Sequence, residues 1–326
     1  MRLKRRAILR LVPVFLCTSA GDLVVLDRGD DGAWTTETVL EDARAQCVAT
    51  DGTRVIVGTR GDGVRVSEDG GRTFAAVDLP EGDVFSVAIG PADGALYAGT
   101  EPSRLFVARD DEAWVELEAL QAIPSRPSWS FPPRPWTHHV RWIAPDPHDA
   151  ARLLVGIELG GVMRSTDGGA SFADHRPGAK LDAHQLAWHP SAPDRAYQAA
   201  GDGAARSRDG GATWEALDAG RDRGYCWALA LDPTDPDRWF VSAATGPGAA
   251  HSGERARGRL YLHEHDGWRR LELSDEAMPY ALATTAAGEL LVATADGRVL
   301  HTDDHGARFT ATGVRLGPIL AMAASG

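Results

Sequence analysis

Basic charge, cysteine and long apolar runs are all scarce in this chain, and each scarcity removes a class of function. The 46 Asp and Glu residues outnumber the 34 Lys and Arg, leaving a formal net charge of −12. Nucleic acids and anionic membranes select basic surfaces, so neither is expected as a partner. The three cysteines, Cys17, Cys47 and Cys226, are odd in number and far apart, which gives neither a disulfide framework nor a metal-ligand spacing. They read as small buried hydrophobes. No apolar run approaches the roughly 20 residues that a transmembrane helix needs. The one targeting-like segment is Met1 to Leu16, where Lys4, Arg5 and Arg6 precede an apolar stretch. Arg10 interrupts that stretch, Pro13 shortens it and no small-x-small cleavage site follows, so the expectation is a cytoplasmic protein.

Glycine and tryptophan are plentiful instead, at 36 and 10 residues, as in a turn-rich all-β protein. Many of the glycines belong to one recurring string. It reads Ser67-Glu68-Asp69-Gly70-Gly71-Arg72-Thr73-Phe74, then Ser165-Thr166-Asp167-Gly168-Gly169-Ala170-Ser171-Phe172, then Ser207-Arg208-Asp209-Gly210-Gly211-Ala212-Thr213-Trp214, and in worn form Thr302 to Phe309. The Asp can bond turn amides, the Gly residues accept positive φ, and the terminal aromatic can pack beneath a hairpin. Every part of the string therefore has a structural task and none specifies a reaction.

The Asp positions lie 98, 42 and 95 residues apart. The outer gaps each fit two units of about 42 residues plus insertions, and a unit of that length matches a four-stranded propeller blade. Degenerate strings at Asp110 to Trp114, His265 to Trp268 and Asp30 to Trp34 fill the gaps. Ahead of each string two short strands recur, as in Ile143 to Pro145 with Leu153 to Gly156, or Leu186 to Trp188 with Ala196 to Ala199. The expectation is one domain over 1–326, a seven-bladed all-β propeller. Its blades fall at about 43–80, 83–120, 139–179, 182–220, 224–273 and 276–314, with a seventh shared between 316–326 and 11–40. Pairing the two chain ends in this way removes exposed sheet edges.

The string S-x-D-x-G-x-[ST]-[FW] resembles the Asp-box of BNR-repeat propellers, a group that includes sialidases, xyloglucan-active glycosidases, sortilin-type receptors and photosystem II assembly/stability factor-like proteins. Single-domain size and seven blades are most similar to the last of these and to bacterial sialidase-like proteins. True sialidases are six-bladed and carry an early Arg-Ile-Pro motif, from which Arg141-Trp142-Ile143-Ala144-Pro145 departs. The resemblance therefore implies fold more than function. It also implies that the Asp-boxes, as turns between the third and fourth strands, lie on the face opposite the usual pocket.

On that pocket face the two long insertions, 121–137 and 246–258, are expected to gather, as functional loops do on rigid scaffolds. Aligning the innermost strands puts Val48, Val87, Ile143, Leu186, Leu229, Leu282 and Leu320 in one apolar layer. Two residues toward the pocket the column reads Gln46, Phe85, Arg141, His184, Trp227 and Tyr280, and two further it reads Arg44, Asp83, His139, Asp182, Tyr225 and Met278. Polar and aromatic groups replace apolar packing there, the pattern of a binding mouth. Glu158, His139, Asp182, His184 and Tyr225 are the acid–base candidates. His138, Arg141, Arg223, Trp227, Tyr280, Trp136, Arg60, Glu101 and His251 are the candidate ligand-binding residues.

Blander roles compete at each position. Arg60 and Glu101 read equally as an inter-blade salt bridge, Trp136 as an anchor of its Pro-rich loop, and Arg221-Asp222-Arg223 as a solvated loop. The cofactor is unknown; a divalent metal, if bound, would use His139, His184 and Glu158, a set without diagnostic spacing. The ligand is expected to be a small molecule or glycan, turned over by hydrolase-like or lyase-like chemistry. The alternative is a non-catalytic assembly scaffold with a protein partner.

Overall fold

In the computed structural model, residues 13–110, 112–132, 137–265, 267–273 and 277–324 are described. They form seven antiparallel sheets arranged as a ring, a seven-bladed β-propeller. Blade one, which sets the pattern, runs Ala45–Thr50, Val55–Thr59, Val64–Ser67 and Ala75–Val77 from the centre outward. The second strand is Val55-Ile56-Val57-Gly58-Thr59 and is buried throughout. Each blade is covered on both faces by its neighbours, so its middle strands carry continuous β-branched and small residues where a half-exposed sheet would alternate.

The closing blade is split as expected. Ile319–Ala324 is its innermost strand and pairs with Val14–Thr18, which continues through Leu23–Arg28 to Trp34–Leu40. One blade departs from four strands: Val140–Pro145, Leu153–Ile157 and Gly161–Ser165 form a three-stranded sheet, whose outer edge is reduced to a single bridge between Arg164 and Ala173. Residues 1–12, the signal-like segment apart from its last residues, lie outside the described residues.

The recurring strings are turns with the chemistry their residues suggest. Asp69 Oδ1 accepts from Arg72 N at 3.0 Å and Thr73 N at 2.9 Å, and its Oδ2 accepts from Thr73 Oγ1 at 2.7 Å. Ser67 Oγ receives Gly71 N at 2.8 Å, which locks the turn from inside. The second glycine serves twice: Gly211 holds φ +76°, and a Cβ there would lie 2.7 Å from Leu154 of the preceding blade. The turn thus sits in the seam between blades. Gly70 N bonds Thr53 O, Gly168 N bonds Ala151 O and Gly210 N bonds Asp194 O, joining these turns to the first hairpin of each blade on one face. On the other face Arg60 N bonds Arg44 O, Glu101 N bonds Asp83 O and Gly201 N bonds Asp182 O.

All three cysteines are free; Cys17 and Cys226 are buried and Cys47 is half-buried. Burial pushes the Cys47 thiol up to about 12 and the Cys226 thiol up to about 11, so both behave as the inert hydrophobes expected. Among the described residues no helix is long and apolar enough to cross a membrane.

Candidate functional site at the propeller mouth

The innermost strands carry a feature that alternation alone does not show. In blade after blade the pairing of first and second strands skips a residue, between Ala45 and Cys47, Val84 and Ser86, Val140 and Trp142, Ala183 and Gln185, and Pro279 and Ala281, and it skips two between Cys226 and Leu229. In the closing blade the skipped residue is Leu320. A bulge re-aims the side chain it frees. The freed residues are Gln46, Phe85, Arg141, His184, Trp227 with Ala228, Tyr280 and Leu320. Leu320 therefore belongs to this ring and not to the apolar layer beneath it, a correction of one step in the alignment.

These side chains enclose two stacked spaces. A channel cavity of about 280 Å³ runs down the centre, lined by all seven innermost strands. Above it a mouth cavity of about 300 Å³ is lined by Gln46, Arg60, Phe85, Phe131, His139, Arg141, Glu158, Trp227, His251, Tyr280 and Leu320. Both insertions reach it, one through Phe131 and the other through His251. The second insertion is partly helical, at Pro247–Ala250 and Gly253–Arg255, and Ala250 O accepts from Tyr280 Oη at 2.7 Å. The first folds as short 3-10 turns at Glu118–Ala122 and Arg126–Ser128.

Glu158 is the electrostatic centre, standing just past Leu153–Ile157 and almost fully buried. Its Oε2 lies 2.6 Å from His139 Nε2 and 3.3 Å from Arg141 Nε. Burial alone would raise its pKa, but the His139 hydrogen bond and the Arg141 charge prevail and bring it down to about 2. It is thus a permanent anion at neutral pH and unfit to be a general acid. His139 is fixed from all sides: Phe85 stacks on it at 4.0 Å between centroids, Phe131 meets it edge-on at 5.1 Å, and Glu101 Oε2 stands 3.3 Å from its Nδ1.

His184, also buried, faces the other carboxylate oxygen. Its Nδ1 lies 2.6 Å from Cys226 O, while Nε2 is 3.8 Å from Glu158 Oε1, 3.6 Å from Asp182 Oδ1 and 3.4 Å from Tyr225 Oη. Burial, then the charges of Asp182 and Glu158, pushes the Tyr225 phenol well above its ordinary range, so it stays protonated. Trp227 joins the two halves of the site: it lies 5.1 Å from His184, 5.2 Å from His251 and 5.4 Å from Tyr280, with the Arg141 guanidinium 5.5 Å over its face.

The structure therefore brings Glu158, His139, Asp182, His184, Tyr225, Arg141 and Glu101 into one connected cluster, with Trp227, Tyr280, Arg60 and His251 around the cavity. Arg60 Nε donates to Gln46 Oε1 at 3.2 Å, and Glu101 turns toward His139, so the two do not pair as an inter-blade bridge. Two candidates stand apart. His138 packs edge-on against Trp129 at 5.4 Å, where burial first and the Arg126 charge second lower its pKa. Arg223 is tied to Asp222 at 2.9 Å, and Asp222 also binds Arg259 and Tyr261, so that run is an ion-pair network outside the cavity. Its Arg221 is buried over the Trp268 ring at 4.8 Å. Trp136 lies outside the described residues. Phe131 is a lining residue the sequence did not single out, because nothing in Phe131-Pro132 marks which aromatic of that loop turns inward.

No family model matches the chain, and no curated protein matches it. Solved structures do. The chain is similar to the GH74 xyloglucanase from Xanthomonas campestris at 15% identity and TM-score 0.67, over 98% of this chain and 55% of that one. It is similar to an ancestral GH74 enzyme at 15% identity and TM-score 0.64, over 91% of this chain and 39% of that one. It is also similar to YCF48, solved bound to D1 peptide, at 16% identity and TM-score 0.56, over 82% and 81%. What they share with this chain is the propeller. The chain spans about half or less of the GH74 enzymes' length, and identity this low carries the fold alone.

Proposed function

We propose that the mouth is the active site of a hydrolase-like or lyase-like enzyme acting on a small oxygen-rich ligand, with a glycan fragment as the preferred class. The observation that carries this reading is a cavity lined by the charges of His139, Arg141 and Glu158 and by an aromatic wall, to which Asp182 and Tyr225 are joined through His184. Trp227 and Tyr280 offer faces on which a sugar ring can stack. Asp182 is half-buried beside His184 and serves as the proton acceptor, while the protonated Tyr225 hydroxyl serves as donor. Arg141, already neutralised on one side by Glu158, orients a polar group of the ligand. Glu158 fixes His139 and Arg141 electrostatically and transfers no proton.

Since Glu158 transfers no proton and its nearest oxygen lies within 4.8 Å of Asp182, the two do not form the acid and base pair of an inverting glycosidase. Inverting glycosidases hold theirs about 6.5–9.5 Å apart to admit a water. The YCF48 structure, of nearly matching span, supports a second reading in which the mouth holds a peptide without turnover. A panel of neutral and uronic oligosaccharides, screened by ligand-observed NMR and by release of new reducing or unsaturated ends, tests the first reading. Binding should weaken by about tenfold or more in Trp227→Ala, and turnover should vanish in Asp182→Asn with binding retained. Binding of extended peptides, with no oligosaccharide bound, would replace the enzyme by the scaffold.

A further inference from the structure

We propose that Glu158, Asp182 and His184 form a binding site for one divalent transition cation such as zinc, an inference that rests on the mouth being the working site and that makes Asp182 a ligand in place of the proton acceptor. One ligand atom from each lies within 4.8 Å of the others. The measured separations, 3.6 Å from His184 Nε2 to Asp182 Oδ1 and 3.8 Å to Glu158 Oε1, are too long for hydrogen bonds. They are close to the edges of a coordination polyhedron, because ligands about 2.0–2.2 Å from zinc stand somewhat over 3 Å from one another. The third edge, between the Glu158 and Asp182 oxygens, is within 4.8 Å, and His184 Nε2 bonds neither carboxylate.

The tautomer of His184 supplies an independent observation. Cys226 O can only accept, so His184 Nδ1 carries the hydrogen across their 2.6 Å contact. In the neutral ring Nε2 then presents a lone pair, and it does so from a fully buried position toward two carboxylates. A ring nitrogen donating to a backbone carbonyl while its partner faces anions is the arrangement that orients metal-binding imidazoles. Tyr225 Oη donates to Nε2 over a long 3.4 Å, and the two carboxylates beside it still repel one another, which a cation would offset.

The surroundings are shaped for the same set. Glu158 Oε2 is held by His139, which leaves Oε1 directed to the cluster. His139 thereby acts one step removed from the metal, and Asp182 takes the place it was expected to fill. Asp182 has its own cradle, since a Cβ on Gly201 would fall 1.8 Å from Asp182 Oδ2. One imidazole and two carboxylates suit zinc, manganese or iron(II). Three protein ligands leave at least one coordination position open.

The full chain, stripped with chelator and dialysed, is titrated with Zn²⁺ alone and with Mn²⁺ alone by calorimetry, with Co²⁺ absorption as the geometric readout. One equivalent should bind. Asp182→Asn should weaken binding by at least about tenfold at an unchanged melting midpoint, and His139→Gln by about 10–100-fold. Asp303→Asn, an exposed carboxylate on the opposite face, should bind as the parent does. Absence of saturable uptake by folded protein, or unchanged affinity in Asp182→Asn, overturns the site. Oligosaccharide binding that depends on Trp227 without any metal uptake removes the metal site alone. Metal uptake without ligand binding keeps the site and removes the glycan reading.

Discussion

At the scale of the residue, Asp209 shows how much of this fold rests on one side chain per turn. It accepts from Thr213 N at 2.9 Å, Ser207 Oγ at 2.9 Å and Thr213 Oγ1 at 2.6 Å. Its slight burial would raise its pKa, but these bonds prevail and hold it below the ordinary carboxylate value. Asp209→Ala should cost about 1–3 kcal/mol, since it strands turn donors, and leave ligand binding per folded molecule intact. Calorimetric melting beside a binding assay checks this; selective loss of binding with an unchanged melt would place the turn on the wrong face. The pH dependence follows from the depressed folded pKa. The charge contributes stability fully above the unfolded value near about 4 and loses it as pH falls through the folded value. Asp209→Asn should therefore melt below the parent at pH 6, and the gap should close as pH falls below about 4. Gly211→Ala adds left-handed strain and a clash with Leu154, a cost of about 1–3 kcal/mol readable from urea midpoints.

At the scale of the element, the bulges convert plain repeats into a site. Period-two alternation on a straight strand would send every second side chain of Val84–Ile89 into the same seam between blades. The skipped residue turns Phe85 toward the mouth while Ser86 resumes the ladder opposite Gly99. Deleting Phe85 should shift the start of that strand by one residue, exchanging its buried and lining side chains. Phe85→Ala should empty part of the lining and keep the register. Chemical denaturation of both variants is the check, with the deletion far less stable; equal stability would mean the bulge is dispensable. The columns aligned from sequence located most of this ring because the repeats are regular. The alignment slipped at Leu320, where the strand is short of polar landmarks, and gave no sign of Phe131, whose direction is set by short 3-10 turns in a Pro-rich loop.

At the scale of the whole molecule, closure holds everything else. Removing residues 316–326 deletes the strand Ile319–Ala324, strips Val14–Thr18 of its inner partner and opens one wall of the central channel. A cooperative melt should be lost, as measured by circular dichroism, and a midpoint near that of the intact chain would sink the claim that this strand closes the ring. The sequence by itself determined the blade count and the split closing blade. Those features depend on local turn chemistry repeated at fixed spacing, and local chemistry is written residue by residue. It also named Glu158, Asp182 and His184 as candidates, and grouped Glu158 and His184 with His139 as a metal set in place of Asp182. Only the tertiary structure decided that Glu158 Oε1 meets His184 across a blade seam, that His139 holds the other carboxylate oxygen, and that His138 and Arg223 turn elsewhere. Such contacts join side chains from different blades, where a one-residue bulge decides the direction of each, and no spacing along the chain encodes that direction.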